Sequence, residues 1–89
     1  MKIIKIGALW CGACLITNKV WNEFKKKYPA EYIELDYDLD DEEVEKYSVG
    51  KVLPVFLFYS EDTEVGRVTG EIGLEDLEKK YFEVGGKNE

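Results

Sequence analysis

Histidine is absent from the sequence. No catalysis that runs on imidazole is therefore open to this chain, and the commonest nitrogen ligand for a metal is missing as well. Cysteine is scarce: Cys11 and Cys14 are the only two in 89 residues. A secreted mini-protein of this length usually carries more, arranged as a framework of staples. These two lie too close in sequence to tie distant segments together. A structural zinc site wants four nitrogen or sulfur ligands, and two sulfurs without imidazole fall short within one chain. No apolar run approaches the ~20 residues of a membrane-spanning helix, and the N-terminus shows neither the n-region nor the h-region of a secretion signal. Basic charge is in deficit, with 12 Lys and Arg against 19 Asp and Glu and a net charge of −7. Phosphate contacts need clustered Lys and Arg, so nucleic acid is a poor partner. Lys25-Lys26-Lys27 reads as a solvated helix end that complements the helix dipole. Together these absences predict a soluble, cytoplasmic, monomeric single domain with neither a nucleic-acid nor a membrane partner.

What is present reads as alternating strands and helices. Residues 2–9, KIIKIGAL, are β-branched and apolar, which predicts a buried strand interrupted by Lys5. Residues 12–27 predict a helix, with Leu15, Val20, Trp21 and Phe24 inward at helical spacing. Tyr28-Pro29 ends it, because the residue before proline leaves the helical region. Residues 31–37 predict a second strand. Asp40 to Glu43 place negative charge at a helix N-terminus, and Val44 to Tyr47 complete a short helix. Residues 54–59 and 64–69 flank the turn Ser60 to Thr63 and predict a hairpin. Residues 74–83 predict a closing helix with Leu74, Leu77, Tyr81 and Phe82 facing the core, and 85–89 a frayed tail. The order β-α-β-α-β-β-α opens with a parallel, right-handed βαβ unit and closes with a hairpin. It is the plan of a four-stranded mixed sheet with helices on both faces.

The chemistry concentrates in Trp10-Cys11-Gly12-Ala13-Cys14. C-x-x-C brings two thiols together within one helical turn, and its place after a strand in a βαβ pattern points to thiol–disulfide exchange. Cys11 falls at the strand-to-helix junction, where free N–H groups and the helix dipole stabilise a thiolate. Cys14 sits one turn inside the helix and is the less exposed. Cys11 should therefore attack, and Cys14 should resolve the mixed disulfide. Trp10 offers a flat apolar surface beside the attacking sulfur.

These residues resemble the thioredoxin family: WCGAC is similar to the WCGPC of thioredoxins. Val52-Leu53-Pro54-Val55-Phe56-Leu57-Phe58 resembles the family's segment in which a cis-proline opens a strand beside the cysteines. Gly70 is similar to the glycine after the last strand that lines the substrate groove. The resemblance spans residues 2 to about 83 and lacks the first strand and helix of full-length thioredoxins. It implies a minimal thioredoxin fold over residues 1–84 followed by a disordered tail at 85–89. It implies a groove formed by Trp10, Gly12, Ala13, Leu53, Pro54 and Gly70, in which an extended substrate peptide pairs with the backbone around an exposed sulfur. It also implies a disulfide oxidoreductase that reduces protein disulfides without a metal or organic cofactor, and is itself reduced by a thioredoxin-reductase-type or other thiol reductant. Two alternatives stay open. One is glutaredoxin-like activity with glutathione, favoured by the short length and disfavoured by Glu71-Ile72 after Gly70. The other is a thioredoxin-fold binding module with incidental cysteines.

Three positions depart from the family. Ala13 replaces the proline between the cysteines. Gly7 stands where a tryptophan is common. Lys5 falls where thioredoxins carry a buried acid, and Glu34, opposite it on the second strand, falls where they place a lysine. A lysine inside a strand is costly unless its amine is paired, neutral or able to snorkel to solvent. The inverted signs predict a swapped Lys5–Glu34 ion pair beneath Cys14, with Lys5 acting on the Cys14 proton.

Overall fold

The computed structural model describes residues 1–86. Four strands form one mixed sheet in the order β2-β1-β3-β4. β1 (Lys2–Gly7) runs parallel to β2 (Glu31–Asp36) and antiparallel to β3 (Val55–Ser60), which pairs antiparallel with β4 (Thr63–Thr69). Helices α1 (Gly12–Lys27) and α3 (Leu74–Glu83) pack against each other over one face, and the short α2 (Asp41–Glu45) lies near β2. The minimal thioredoxin-like plan read from the sequence is the fold observed.

β1 is apolar on both sides of Lys5 because helices cover both faces of a sheet of this kind. Ile3 joins Trp21, Phe24, Phe56, Phe58, Leu77 and Tyr81 in an aromatic cluster under α1 and α3. Ile4 and Ile6 turn the other way, into an aliphatic cluster with Val44, Val55 and Leu57 that also reaches the two cysteines. Several element ends follow from local chemistry. Tyr28 is the extended C-cap of α1, directly before Pro29. Asp41, Glu42 and Glu43 fill the first turn of α2. β3 begins at Val55, one residue after Pro54, which has no N–H to give a ladder.

The structure corrects some expectations. β1 stops at Gly7, and residues 8–10 form a turn closed by Cys11 N–H donating to the Ala8 carbonyl. Leu15 is 63% exposed, not inward. The buried stripe of α1 is Cys14, Thr17, Trp21 and Phe24, spaced by three and four residues. Leu15 follows Cys14 by a single position and so points about 100° away from that stripe. Phe82 is likewise exposed, while Leu77 and Tyr81 carry the inner face of α3. Of the expected tail, Gly85 and Gly86 donate to the carbonyls of Phe82 and Tyr81, and positions 87–89 lie outside the described residues.

Candidate functional site

Cys11 ends the turn after β1 and is the N-cap of α1, with extended backbone at φ −92° and ψ 110°. A cap side chain normally accepts an N–H from the first helical turn. Here the acceptor is sulfur: Cys14 N–H donates to Cys11 Sγ at 3.1 Å. The two cysteines are free thiols. Cys11 Sγ in turn donates to the Leu53 carbonyl at 3.7 Å. The Leu53–Pro54 peptide bond is cis. The Pro54 carbonyl accepts from Gly70 N–H at 2.7 Å, and Gly70 has φ +95°, where glycine alone is unstrained. Arg67 on β4 donates to the carbonyls of Tyr47 and Ser48, fastening the start of the loop that leads to Leu53. Cys11, Leu53, Pro54 and Gly70 are thus brought together.

Gly12 opens α1, and a Cβ there would meet nothing within 4 Å. Ala13 packs against the aliphatic cluster. Trp10 is 63% exposed and is held from the far side, its indole N–H donating to Asp38 and its ring edge-on to Tyr37. One expectation about the groove fails: Cys11 is only 8% exposed, because the Leu53 backbone lies across its sulfur. Cys14, at 3%, is still the more buried of the pair. Burial, with the hydrogen bond between the cysteines adding to it, pushes the Cys14 thiol up to about 11, while the Lys5 charge acts to lower it.

Lys5 is buried beneath this helix turn, as its strand requires. Its register partner across the parallel strands is Glu34, but the ion pair expected between them does not form. The Lys5 amine donates to the side-chain oxygen of Asn18, and Glu34 takes Lys25 at 3.2 Å. The reason is geometric. α1 lies over this part of the sheet, and Asn18 stands one helical turn beyond Cys14, so its amide reaches the lysine first. Glu34 sits near the rim of the sheet, half exposed, where Lys25 can meet it from the same helix. Burial lowers the Lys5 amine below its ordinary value, and the nearby Glu34 charge opposes that shift. Reasoning from sequence missed Asn18, Lys25 and Asp38. The first was accessible in principle, because Cys14, Asn18 and Asn22 recur every fourth residue along α1. Asp38 carried no such signal.

A Cβ on Gly7 would lie 3.3 Å from Cys14 Sγ and 3.8 Å from Lys5 Cε. The sulfur and the lysine stem therefore converge on the space that Gly7 leaves open. The arrangement can hold a capped, helix-terminal sulfur ready to attack on one side. On the other it holds a buried second sulfur beside a lysine. Among the described residues, no group of three or more Asp, Glu or Cys is placed to hold a metal ion.

The thioredoxin family profile matches residues 1–83. A thioredoxin H-type protein of Oryza sativa subsp. indica is 39% identical over 69 residues, which is 76% of this chain and 56% of that protein. The 14 kDa light chain of the flagellar outer-arm dynein of Chlamydomonas reinhardtii is 28% identical over 100 residues, 99% of this chain and 68% of its own length. The crystal structure of thioredoxin NaTrxh from Nicotiana alata matches with a TM-score of 0.85 at 29% identity, covering 92% of this chain and 70% of that one. The chain therefore spans little more than half the length of the rice relative.

Proposed function

The chain belongs to the thioredoxin family, and we propose that it is a thiol–disulfide oxidoreductase that reduces protein disulfides through a reversible Cys11–Cys14 disulfide. The observation that carries this reading is the placement of Cys11. Its sulfur caps α1, accepts the Cys14 N–H, and lies against the Leu53 carbonyl beside cis-Pro54. There the first turn of α1 presents a backbone N–H to the attacking sulfur. Cys11 attacks one sulfur of the substrate disulfide, and the other leaves as a thiolate that takes up a proton. Cys14 then loses its proton and attacks Cys11 Sγ. The Cys11–Cys14 bond forms, the mixed disulfide breaks, and the second substrate thiol is released.

The reaction needs no cofactor beyond the cysteine pair. The groove for an extended peptide is made by Trp10, Gly12, Ala13, Leu53, Pro54 and Gly70. Lys5 favours the Cys14 thiolate by charge during the second step, and Glu34 supports that charge from across the strands. The electron source is a reductase of the thioredoxin-reductase type or another thiol reductant. The setting is a reducing one such as the cytoplasm, where thiols of this kind persist.

A second reading rests on the dynein light chain, which is similar over 99% of this chain. On this second reading the present chain is a subunit that binds a partner, and its cysteines are secondary. Insulin reduction separates the readings. Turnover with thioredoxin reductase supports the proposal, and turnover only with glutathione and its reductase moves the chain to a glutaredoxin-like activity. Failure with both, in a folded protein whose thiols titrate, leaves the binding subunit.

A further inference from the structure

A lysine taken out of water normally stands against a carboxylate. Lys5 does not. It is 7% exposed on β1, and its amine donates to the neutral side-chain oxygen of Asn18. Among the described residues no carboxylate lies within ion-pairing distance of that amine. Asn18 follows Cys14 by four positions on α1, so the two side chains share one face of the helix, a turn apart. A Cβ on Gly7 would be 3.3 Å from Cys14 Sγ and 3.8 Å from Lys5 Cε. The end of the lysine stem and the second sulfur therefore border one small gap, with Asn18 above it. Behind them opens a rear cleft of about 400 Å³, lined by Lys5, Cys14 and Asn18 on one side and by Glu34, Asp36 and Asp40 on the other.

Those acids are the partners Lys5 does without. Glu34 is its register partner across β1 and β2, and is occupied by Lys25 of α1 at 3.2 Å. Asp36 and Asp40 accept backbone N–H groups of their own loop. A four-carbon stem freed from Asn18 can turn toward this acidic side. Paired to a carboxylate, the lysine would present little net charge to Cys14. Held by an amide carbonyl, an acceptor without charge, it presents all of it. Burial raises the Cys14 thiol, and the Lys5 charge acts against that rise.

We propose that Asn18 is a positioning residue for the second step of exchange: it holds the Lys5 ammonium beside Cys14 without neutralising it. The inference rests on the proposed Cys11–Cys14 reaction. In that step Cys14 gives its proton to solvent through the cleft, and its thiolate attacks Cys11 Sγ. The Cys11–Cys14 bond forms, the bond from Cys11 to the substrate breaks, and the departing substrate sulfur takes up a proton from solvent. Lys5 keeps its own proton throughout. Asn18 touches none of the reacting atoms and acts only through where it puts that charge.

The test is a double-mutant cycle in the full, reduced chain. Cysteine labelled with carbon-13 at Cβ reports the Cys14 titration by NMR. Asn18→Ala suits the helix, since alanine is its strongest former. It should raise the Cys14 midpoint by about half a pH unit, a fraction of what a close opposite charge is worth. That leaves about threefold less thiolate at neutral pH. Single-turnover reduction of a peptide disulfide should show the first step unchanged and the second slowed by about twofold, because the more basic thiolate is the better nucleophile. In a Lys5→Met background, Asn18→Ala should move neither quantity. Equal movement with and without Lys5 is what packing alone would give. That result, or an unmoved midpoint, would overturn the inference. Should Lys5→Met not fold, Asn18→Gln decides. It keeps a neutral acceptor and must hold the midpoint nearer the parent's than Asn18→Ala does, and coincidence of the two variants overturns the inference. The midpoint is read without substrate. Insulin reduction by the parent with an unmoved midpoint removes this inference alone, and a moved midpoint in a chain inactive on insulin removes the proposed function alone.

Discussion

Cys11 and Cys14 are three positions apart in sequence, yet they face unlike surroundings. In front, Cys11 meets backbone: the Leu53 carbonyl, next to the cis peptide at Pro54, whose own carbonyl is held by the left-handed Gly70. Behind, Cys14 meets side chains: Lys5, Asn18 beyond it, and the acidic end of β2. The front is built from main-chain geometry, which proline and glycine specify. The rear is built from charge, which any single substitution can rewrite. The C-x-x-C pair therefore sets a sulfur placed by shape beside a sulfur placed by electrostatics.

The largest expected effect separates the two sulfurs outright. Cys11→Ser should abolish insulin reduction, whereas Cys14→Ser should trap a mixed disulfide through Cys11, visible as a covalent complex on a non-reducing gel. Trapping through Cys14 instead would reverse the assignment of roles.

Two glycine substitutions probe the sides with intermediate effects. Gly70→Ala forces a side chain into left-handed backbone and should destabilise the fold by roughly 1–2 kcal/mol, with weakened peptide binding. Gly7→Ala brings a methyl to 3.3 Å from Cys14 Sγ. It should cost about 1 kcal/mol, at the low end of overpacking, and slow the second step of the reaction more than the first. Urea titration and single-turnover kinetics with a peptide disulfide measure both. Equal slowing of the two steps by Gly7→Ala would mean that the sides are not separate.

The smallest effect is a change of slope with pH. Burial raises the Cys14 thiol from its ordinary 9.0 to about 11. The folded state thus holds that proton more tightly than the unfolded chain. Its contribution to stability is full below pH 9 and fades as the pH climbs to about 11. Burial lowers the Lys5 amine below 10.5, so folding disfavours its proton. That penalty is relieved as the pH rises toward 10.5. The two trends oppose each other in the unmodified chain. Lys5→Met removes the rising one, so stability between pH 9 and 11 should fall more steeply than in the parent. Urea midpoints across that range measure it, and parallel curves would show that Lys5 is not desolvated.

Most of this frame was legible in the sequence because its punctuation is strong. Proline at 29 and 54, acids ahead of α2, and the β-branched run of β1 each admit few local structures. The register that sets Lys5 opposite Glu34 was legible too. What Lys5 holds was not. A four-carbon stem reaches partners on the helix above as readily as on the next strand, and strand register carries no record of what the covering helix offers. Leu15 shows the same limit. Apolar residues at 14, 15, 20, 21 and 24 fit more than one helical stripe, and only the packed sheet selects the one through Cys14, Thr17 and Trp21. The burial of Cys11 by Leu53 depends on a contact between segments 42 residues apart, beyond any local pattern.

Among the described residues, the order β2-β1-β3-β4 leaves β2 and β4 with one side unpaired, and both bear charge along their length. β2 carries Glu31, Glu34 and Asp36, and β4 carries Glu64 paired with Arg67. The β3–β4 ladder also slips register between Phe58 and Tyr59, which spoils β4 as a straight template. Open strand borders are where chains stack into aggregates, and charge or a bulge on such a border resists that stacking. The acid that borders the rear cleft on β2 thus serves colloidal ends as well, repelling a like border on any neighbouring molecule in a crowded solution.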